Sequence, residues 1–277
     1  LNQEAKNIEV IVTDDASIDK TTKILKQKYE KNKKVRLFFH KKNRKLGWQR
    51  NFGITKARGK YIFFLDSDDW LSKQALIQLI SIAETYKTEV VACGINSFTT
   101  NTKRRFYHGF DFASYDKTDN LNYFADYKIA SVVWNKLYLR KFIITNNIAF
   151  NTKYWHEDVA FTRNVIFLCK KFISISKPFY QYYQNPNSIT HKKQDLLHLK
   201  SYLFFYKDMC NFLDTNKIES KLKEKLLESH CFNNVYPNLL RYVNSRSENE
   251  FKNDLLKTLS GDFKQYSDGT AQFISQL

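Results

Sequence analysis

Methionine appears once in the 277-residue chain, as Met209, and the first residue is Leu1. A complete reading frame begins with Met, so the chain is expected to lack its true beginning. Three prolines and seven glycines exclude collagen-like and proline-rich architectures. The four cysteines, Cys93, Cys169, Cys210 and Cys231, show no short paired spacing. That argues against zinc ribbons, redox Cys-x-x-Cys motifs and a secreted disulfide framework, and a reduced compartment is expected. No apolar run reaches the length of a membrane span, and the start shows no signal-peptide pattern.

What is present is apolar and aromatic. Hydrophobic residues make up 43% and aromatic ones 16%, enough for a folded core in one large domain or a domain with an appendage. Basic residues outnumber acidic ones 45 to 28, a formal net charge of +17. From Asp195 onward there are 11 of each sign, so residues 1–194 carry the whole excess. A basic front portion suits a phosphorylated small molecule, a nucleic acid or an acidic membrane surface. The competing reading is a plain solvated, lysine-rich surface.

Strand and helix patterns alternate over the first 95 residues. Ile8 to Val12 reads as a short buried strand, followed by a helix with Ile18, Thr22, Leu25 and Tyr29 at helical spacing and Ser17 as N-cap. Residues 34–40 read as a second strand, 49–59 as a helix ended by Gly59, and 60–66 as a third strand. An amphipathic helix opened by Ser72 and a strand over 89–95 complete the series. The expected fold is α/β, an open, mostly parallel sheet with flanking helices. Residues 96–194 are less regular: a strand or turn giving way to a helix over 131–143, a helix entered at Glu157, and a strand before the Pro/Asn turn near 186. Leucine at helical spacing, as in Leu222, Leu226 and Leu227, makes 195–277 a helical appendage.

Ligands of such sheets lie beyond the carboxyl ends of the strands. Two strands here end in acids: Val12 leads to Asp14 and Asp15, and "YIFFLDSDDW" leads to Asp66, Asp68 and Asp69. Like charges so close repel, so a positive group is expected among them, or a proton on one. An Asp-x-Asp loop can hold Mg²⁺ or Mn²⁺ through one or two oxygens and leave other positions to a diphosphate and water. The alternative is a helix cap by Asp68 or Asp69. Asp14 and Asp15 could accept hydrogen bonds from a base or ribose, or simply form an Asx-turn. Glu157 and Asp158, after His156, open a helix, where the dipole favours acids regardless of function; a general base facing an acceptor hydroxyl is the functional reading. Arg44, Lys45 and Arg50 could contact phosphates. Trp134, Trp155 and Tyr182 could stack on sugars or belong to the core.

The segments "VIVTDDASIDKT", "NRKLGWQRNFGITKARGKYIFFLDSDDW", "VVWNKLYLRKF", "HEDVAF" and "YYQNPNSIT" together resemble the bacterial family 2 glycosyltransferases, of GT-A fold, over residues 3–194. The resemblance implies that Asp14 and Asp15 hold a nucleoside, with Arg50 and Asn51 also on the nucleotide side. It implies that Asp66 and Asp68 form the Asp-x-Asp motif, whose last Asp ligates Mn²⁺ or Mg²⁺ on the donor diphosphate. Asp158, preceded by Glu157, matches the catalytic base, and Trp134 to Lys136 match a segment near donor and acceptor. The implied division is a nucleotide-sugar half at 1–95, an acceptor half at 96–194 and a helical region at 195–277. The implied reaction is inverting transfer from a nucleotide-diphosphate sugar to a hydroxyl of a growing glycan, free or lipid-linked, in the cytoplasm or at the inner membrane face. The family's first strand and most of its first helix are expected to be missing. A catalytically inactive nucleotide- or glycan-binding remnant is therefore the alternative. An aspartate-nucleophile phosphatase usually needs Thr or Val where this chain has Trp70, and no nucleic-acid recognition motif accompanies the charge.

Overall fold

The β-branched run at Val10–Val12 enters strand β1 (Val10–Asp14), which pairs in parallel with β2 (Val35–Phe39) from Val10 opposite Val35 to Asp14 opposite Phe39. In this computed structural model the described residues are 3–5, 7–99, 109–185 and 194–260. The chain divides into two compact units, residues 1–153 with 157–186, and residues 154–156 with 187–277.

In the first unit, helix α1 (Thr21–Tyr29) joins β1 to β2, and α2 (Lys45–Lys56) leads to β3 (Tyr61–Phe63). A two-residue strand β4 (Trp70–Leu71) precedes α3 (Ala75–Tyr86) and β5 (Val90–Phe98). Then follow β6 (Phe112–Ser114), α4 (Lys117–Ala125), β7 (Lys136–Leu139), α5 (Arg140–Thr145), α6 (Glu157–Leu168) and β8 (Phe172–Tyr183). A six-stranded sheet runs β3-β7-β5-β8-β4, with β6 also pairing β8. Only its β5–β8 pairing is parallel, so this sheet is mixed, while β1 and β2 form a separate two-stranded sheet. The α/β architecture with flanking helices is as read from the sequence, but the mostly parallel sheet expected there is corrected to a mixed one. The mixture arises because β7 and β8, from residues 96–194, enter beside β3 and β5; residues 1–95 and most of 96–194 share the first unit, with 154–156 and 187–194 in the second.

Ala75, Leu79 and Ala83 repeat every four residues along α3 and pack on Val91, Cys93, Ile95, Leu137 and Phe179. Burial at this stripe anchors the sheet and holds the ends of β3 and β8 where the acids emerge. Three boundaries differ from the sequence reading, and at each a carboxylate or amide oxygen outside the helix accepts from backbone N–H groups near its end. Ser17 does not open α1: its N–H donates to Asp14 Oδ1, and Asp19 Oδ1 accepts from Thr21 N–H. Gly59 does not end α2; the Arg58 and Gly59 N–H groups instead donate to Glu9 Oε1. At α3, Gln3 Oε1 accepts from Leu76 N–H.

The second unit holds α7 (Leu196–Thr215), α8 (Ser220–His230), a π-helical turn (Cys231–Val235), α9 (Tyr236–Asn244) and α10 (Glu248–Ser260). Asp195 and His198 form a reciprocal cap at the start of α7. Leu199, Tyr202, Leu203, Val235, Leu239 and Tyr242 form its core. The helical reading of the tail holds for these residues; 261–277 and the Pro/Asn turn at 186–190 lie outside the described residues.

Candidate active site

Helix α2 carries the positive group that the acids require. Arg50 is buried, and its guanidinium donates from NH1 to Glu157 Oε1 at 2.6 Å and from NH2 to Asp66 Oδ1 at 3.0 Å. Asp158 lies close enough to act on the ionisation of Arg50, Asp66 and Lys136. Two carboxylates thus pair with one guanidinium, and a third lies within its field. Burial raises the Asp66 pKa above the ordinary 3.8, with Asp158 and Asp68 adding to the rise against the opposing pull of Arg50. Burial and the neighbouring Asp158 likewise raise Glu157, again against Arg50. Asp158 is raised chiefly by burial, although Arg50 and the N–H groups at the start of α6 favour its charge. No hydrogen bond or ion pair from the Asp158 side chain to another described side chain occurs.

A close backbone approach makes this packing possible. A Cβ on Gly47 would lie 2.1 Å from the Asn151 carbonyl oxygen, so only glycine lets α2 meet the 150–151 segment beside Glu157. One position along from Arg50, Asn51 clamps that same segment: its Nδ2 donates to Phe150 O at 2.9 Å and its Oδ1 accepts from Phe150 N–H at 2.8 Å. Both polar ends of Asn51 are therefore used internally. Asn51→Ala should lower the unfolding free energy by about 2 kcal/mol, the cost of leaving buried backbone groups unpaired. Urea denaturation checks this, and an unchanged midpoint would contradict the clamp.

Asp15 meets the other end of α2. Its oxygens accept from Arg44 N–H at 2.8 Å, Lys45 N–H at 2.9 Å and Gln49 Nε2 at 2.5 Å. The carboxylate thus caps the helix from a distant strand. Since Gln49 and Arg50 are consecutive, the first two turns of α2 join Asp15 to Asp66. Asp14 is buried and holds Ser17 through an Asx-type bond of 3.1 Å.

Asp68 is exposed, 3.5 Å from Asn185 Nδ2. Asp69 turns inward, accepting from the Tyr180 hydroxyl at 2.6 Å and Tyr183 N–H at 2.7 Å, and burial pushes its pKa up to about 6. Trp134 stacks on Tyr182 with ring centroids 5.4 Å apart and lies tilted against Tyr180 at 4.3 Å. Lys136 is fully buried; its ammonium donates to Ala130 O, Val132 O and Asn135 Oδ1 at 2.6–2.8 Å, and burial lowers its pKa to about 7. With its three donors used, Lys136 positions the 130–135 segment rather than presenting them to a ligand. Trp155 belongs to the helical unit, where its ring stacks on His198 at 5.3 Å.

Arg50, Asp66, Asp68, Glu157, Asp158 and Trp134 therefore belong to one unit with their carboxylates coupled. Asp69, Tyr180 and Gln49 escaped sequence reasoning as site residues. Tyr180 and Gln49 act through long-range hydrogen bonds that no local spacing encodes. Asp69 had a local signal, its place in the acid run.

The comparisons with known proteins now bear on this geometry. Residues 1–150 match the profile of Glycosyl transferase family 2. The chain belongs to that family. Among relatives from Bacillus subtilis (strain 168), EpsH is 29% identical over 229 residues, covering 80% of this chain and 66% of EpsH. EpsJ is 27% identical over 197 residues, covering 69% of this chain and 56% of EpsJ. The chain thus spans between about half and two-thirds of their lengths. Staphylococcus aureus TarS 1–349, solved with UDP-GlcNAc, superposes with a TM-score of 0.69 at 18% identity, covering 88% of this chain and 72% of TarS 1–349. That likeness establishes the GT-A fold.

Proposed function

We propose that the protein transfers a sugar, with inversion, from a nucleotide-diphosphate donor (UDP is the nucleotide favoured) to a hydroxyl of a growing cell-surface glycan, free or lipid-linked. The supporting observation is the coupled group of Asp66, Glu157 and Asp158 around one buried Arg50. In this reading Asp158 accepts the acceptor proton as the hydroxyl oxygen attacks the anomeric carbon, and the bond from that carbon to the diphosphate oxygen breaks. Arg50 keeps Glu157 and Asp66 in place while Asp158 stays available. Trp134 offers a ring beside Tyr182 for a sugar face.

The donor set fits a hard divalent ion. Asp68 is exposed beside Asp66, where carboxylates outnumber guanidinium groups, and oxygen donors of this kind suit Mg²⁺ or Mn²⁺. Among the described residues no group of three or more His, Cys, Asp or Glu is placed to hold a metal alone. Asp68 and Asp66 would therefore share such an ion with donor phosphates, and its chemistry would be neutralising charge on the departing diphosphate. Asp68→Asn should weaken UDP binding in the presence of Mn²⁺ by about tenfold or more, leaving metal-free binding unchanged, a divalent-linked loss worth ~1.4 kcal/mol. Titration calorimetry with UDP, with and without Mn²⁺, reads this; equal loss without the ion would remove Asp68 as a ligand.

A second reading, nucleotide or glycan binding without turnover, is favoured by one feature. Strands β1 and β2 form a sheet separate from the six strands that carry the acid cluster. Donor binding without transfer or donor hydrolysis would select it.

A further inference from the structure

We infer that the outer side of α1, with the turn leading into it, is a docking surface for an anionic lipid bilayer. Between residues 20 and 58 the chain has fifteen lysines and arginines and a single acidic residue, Glu30. Most of the chain's net charge therefore originates in about one-seventh of its length. Lys20, Lys23, Ile24 and Lys28 recur at helical spacing along one side of α1, and Lys31 follows just past its end. All five are exposed. None of the four lysines makes a hydrogen bond or ion pair with another described side chain, so their charge is not neutralised within the protein.

The apolar residues distinguish a bilayer from other polyanions. Ile18, in the turn before α1, is fully exposed, and Ile24 is 45% exposed between the lysines. Single exposed isoleucines are ordinary, but two set among unpaired lysines repeat the composition of interfacial helices. Lysine ammonium groups can sit at lipid phosphates while the isoleucines enter the boundary beneath them. No residue on α1 is buried, so this helix contributes little to the core and its outer side is free of packing constraints. A nucleic-acid partner would be favoured by exposed aromatic rings for stacking; the outer side of α1 offers none. The use of this surface, holding the enzyme beside a lipid-linked acceptor, rests on the proposed sugar transfer; the binding itself does not.

Sedimentation of the full chain with phosphatidylcholine vesicles, with and without phosphatidylglycerol, tests this. Binding should occur only with the anionic lipid and weaken as salt shortens the range of charge interactions. The K20E/K23E/K28E/K31E variant should bind at least tenfold more weakly, and I18S/I24S several-fold more weakly at unchanged charge. Both should show wild-type circular dichroism and wild-type transfer to a water-soluble acceptor. Equal binding to neutral vesicles, or charge variants that bind as well as the wild type, would overturn the inference. Insensitivity to I18S/I24S, with equally tight binding to a DNA duplex, would also overturn it in favour of a general polyanion site. Transfer by the unaltered protein with no binding to anionic vesicles refutes only the surface; vesicle binding without any transfer refutes only the enzymatic reading.

Discussion

Arg50→Met should reduce the stability of the protein by about 3–5 kcal/mol, the usual cost of removing one partner from a buried ion pair. The Arg50 and Glu157 side chains are only 7% and 8% exposed, so a lone Glu157 carboxylate would have little access to water. Asp66, at 31%, could recover part of its hydration. The deficit should depend on pH in a defined direction. Without the guanidinium, the folded-state pKa values of Glu157, Asp158 and Asp66 rise further above their unfolded values, so the folded state binds more protons. Stability of the variant then falls as pH rises from about 4.5, and the deficit is larger at pH 8 than at pH 5. Urea denaturation at both pH values measures it. Adding Glu157→Gln should restore a substantial part of the loss, since it removes the stranded charge. A deficit under about 1 kcal/mol at both pH values would mean that water, not Arg50, compensates these acids.

The second large effect concerns chemistry. Asp158→Asn is expected to lower kcat for sugar transfer by about 10²–10⁴-fold, the range for loss of a general base. Donor affinity should change little, because in this reading Asp158 faces the acceptor hydroxyl and the donor is held by other groups. Folding should be preserved or improved, since burial works against its charge. In the unaltered protein the acid limb of the kcat profile should lie above the aspartate reference of 3.8, because the base must first lose its proton. Retained turnover, or an equal loss of donor binding and kcat, would remove Asp158 from the proton-transfer role. Asn preserves shape, so an unfolded variant is not the expected confounder; calorimetry with UDP controls for it.

Much of the site could be read from local sequence because its residues sit at element ends. An apolar strand finishing in Asp66, and a helix opening with Glu157 and Asp158, place acids where backbone geometry makes them converge. The positive group demanded by those acids was also foreseeable. Its identity as Arg50, however, depends on the close approach of α2 to the 150–151 segment at Gly47, and sequence spacing does not carry that. Asn51 and Lys136 illustrate the opposite limit: the family resemblance placed them near the nucleotide and the donor, and tertiary packing uses both to fasten backbone segments.

Period and composition were sufficient for the alternation of strands and helices, the helical tail and the uneven charge, because each arises within a few consecutive residues or from simple counts. Strand direction, the two-residue β4, the long-range hydrogen bonds accepted by Gln3, Glu9 and Asp15, and the pairing of two carboxylates with one guanidinium were settled only by the folded chain. Those features join residues dozens of positions apart, where the energy of a hydrogen bond or a buried charge depends on what three-dimensional packing brings alongside.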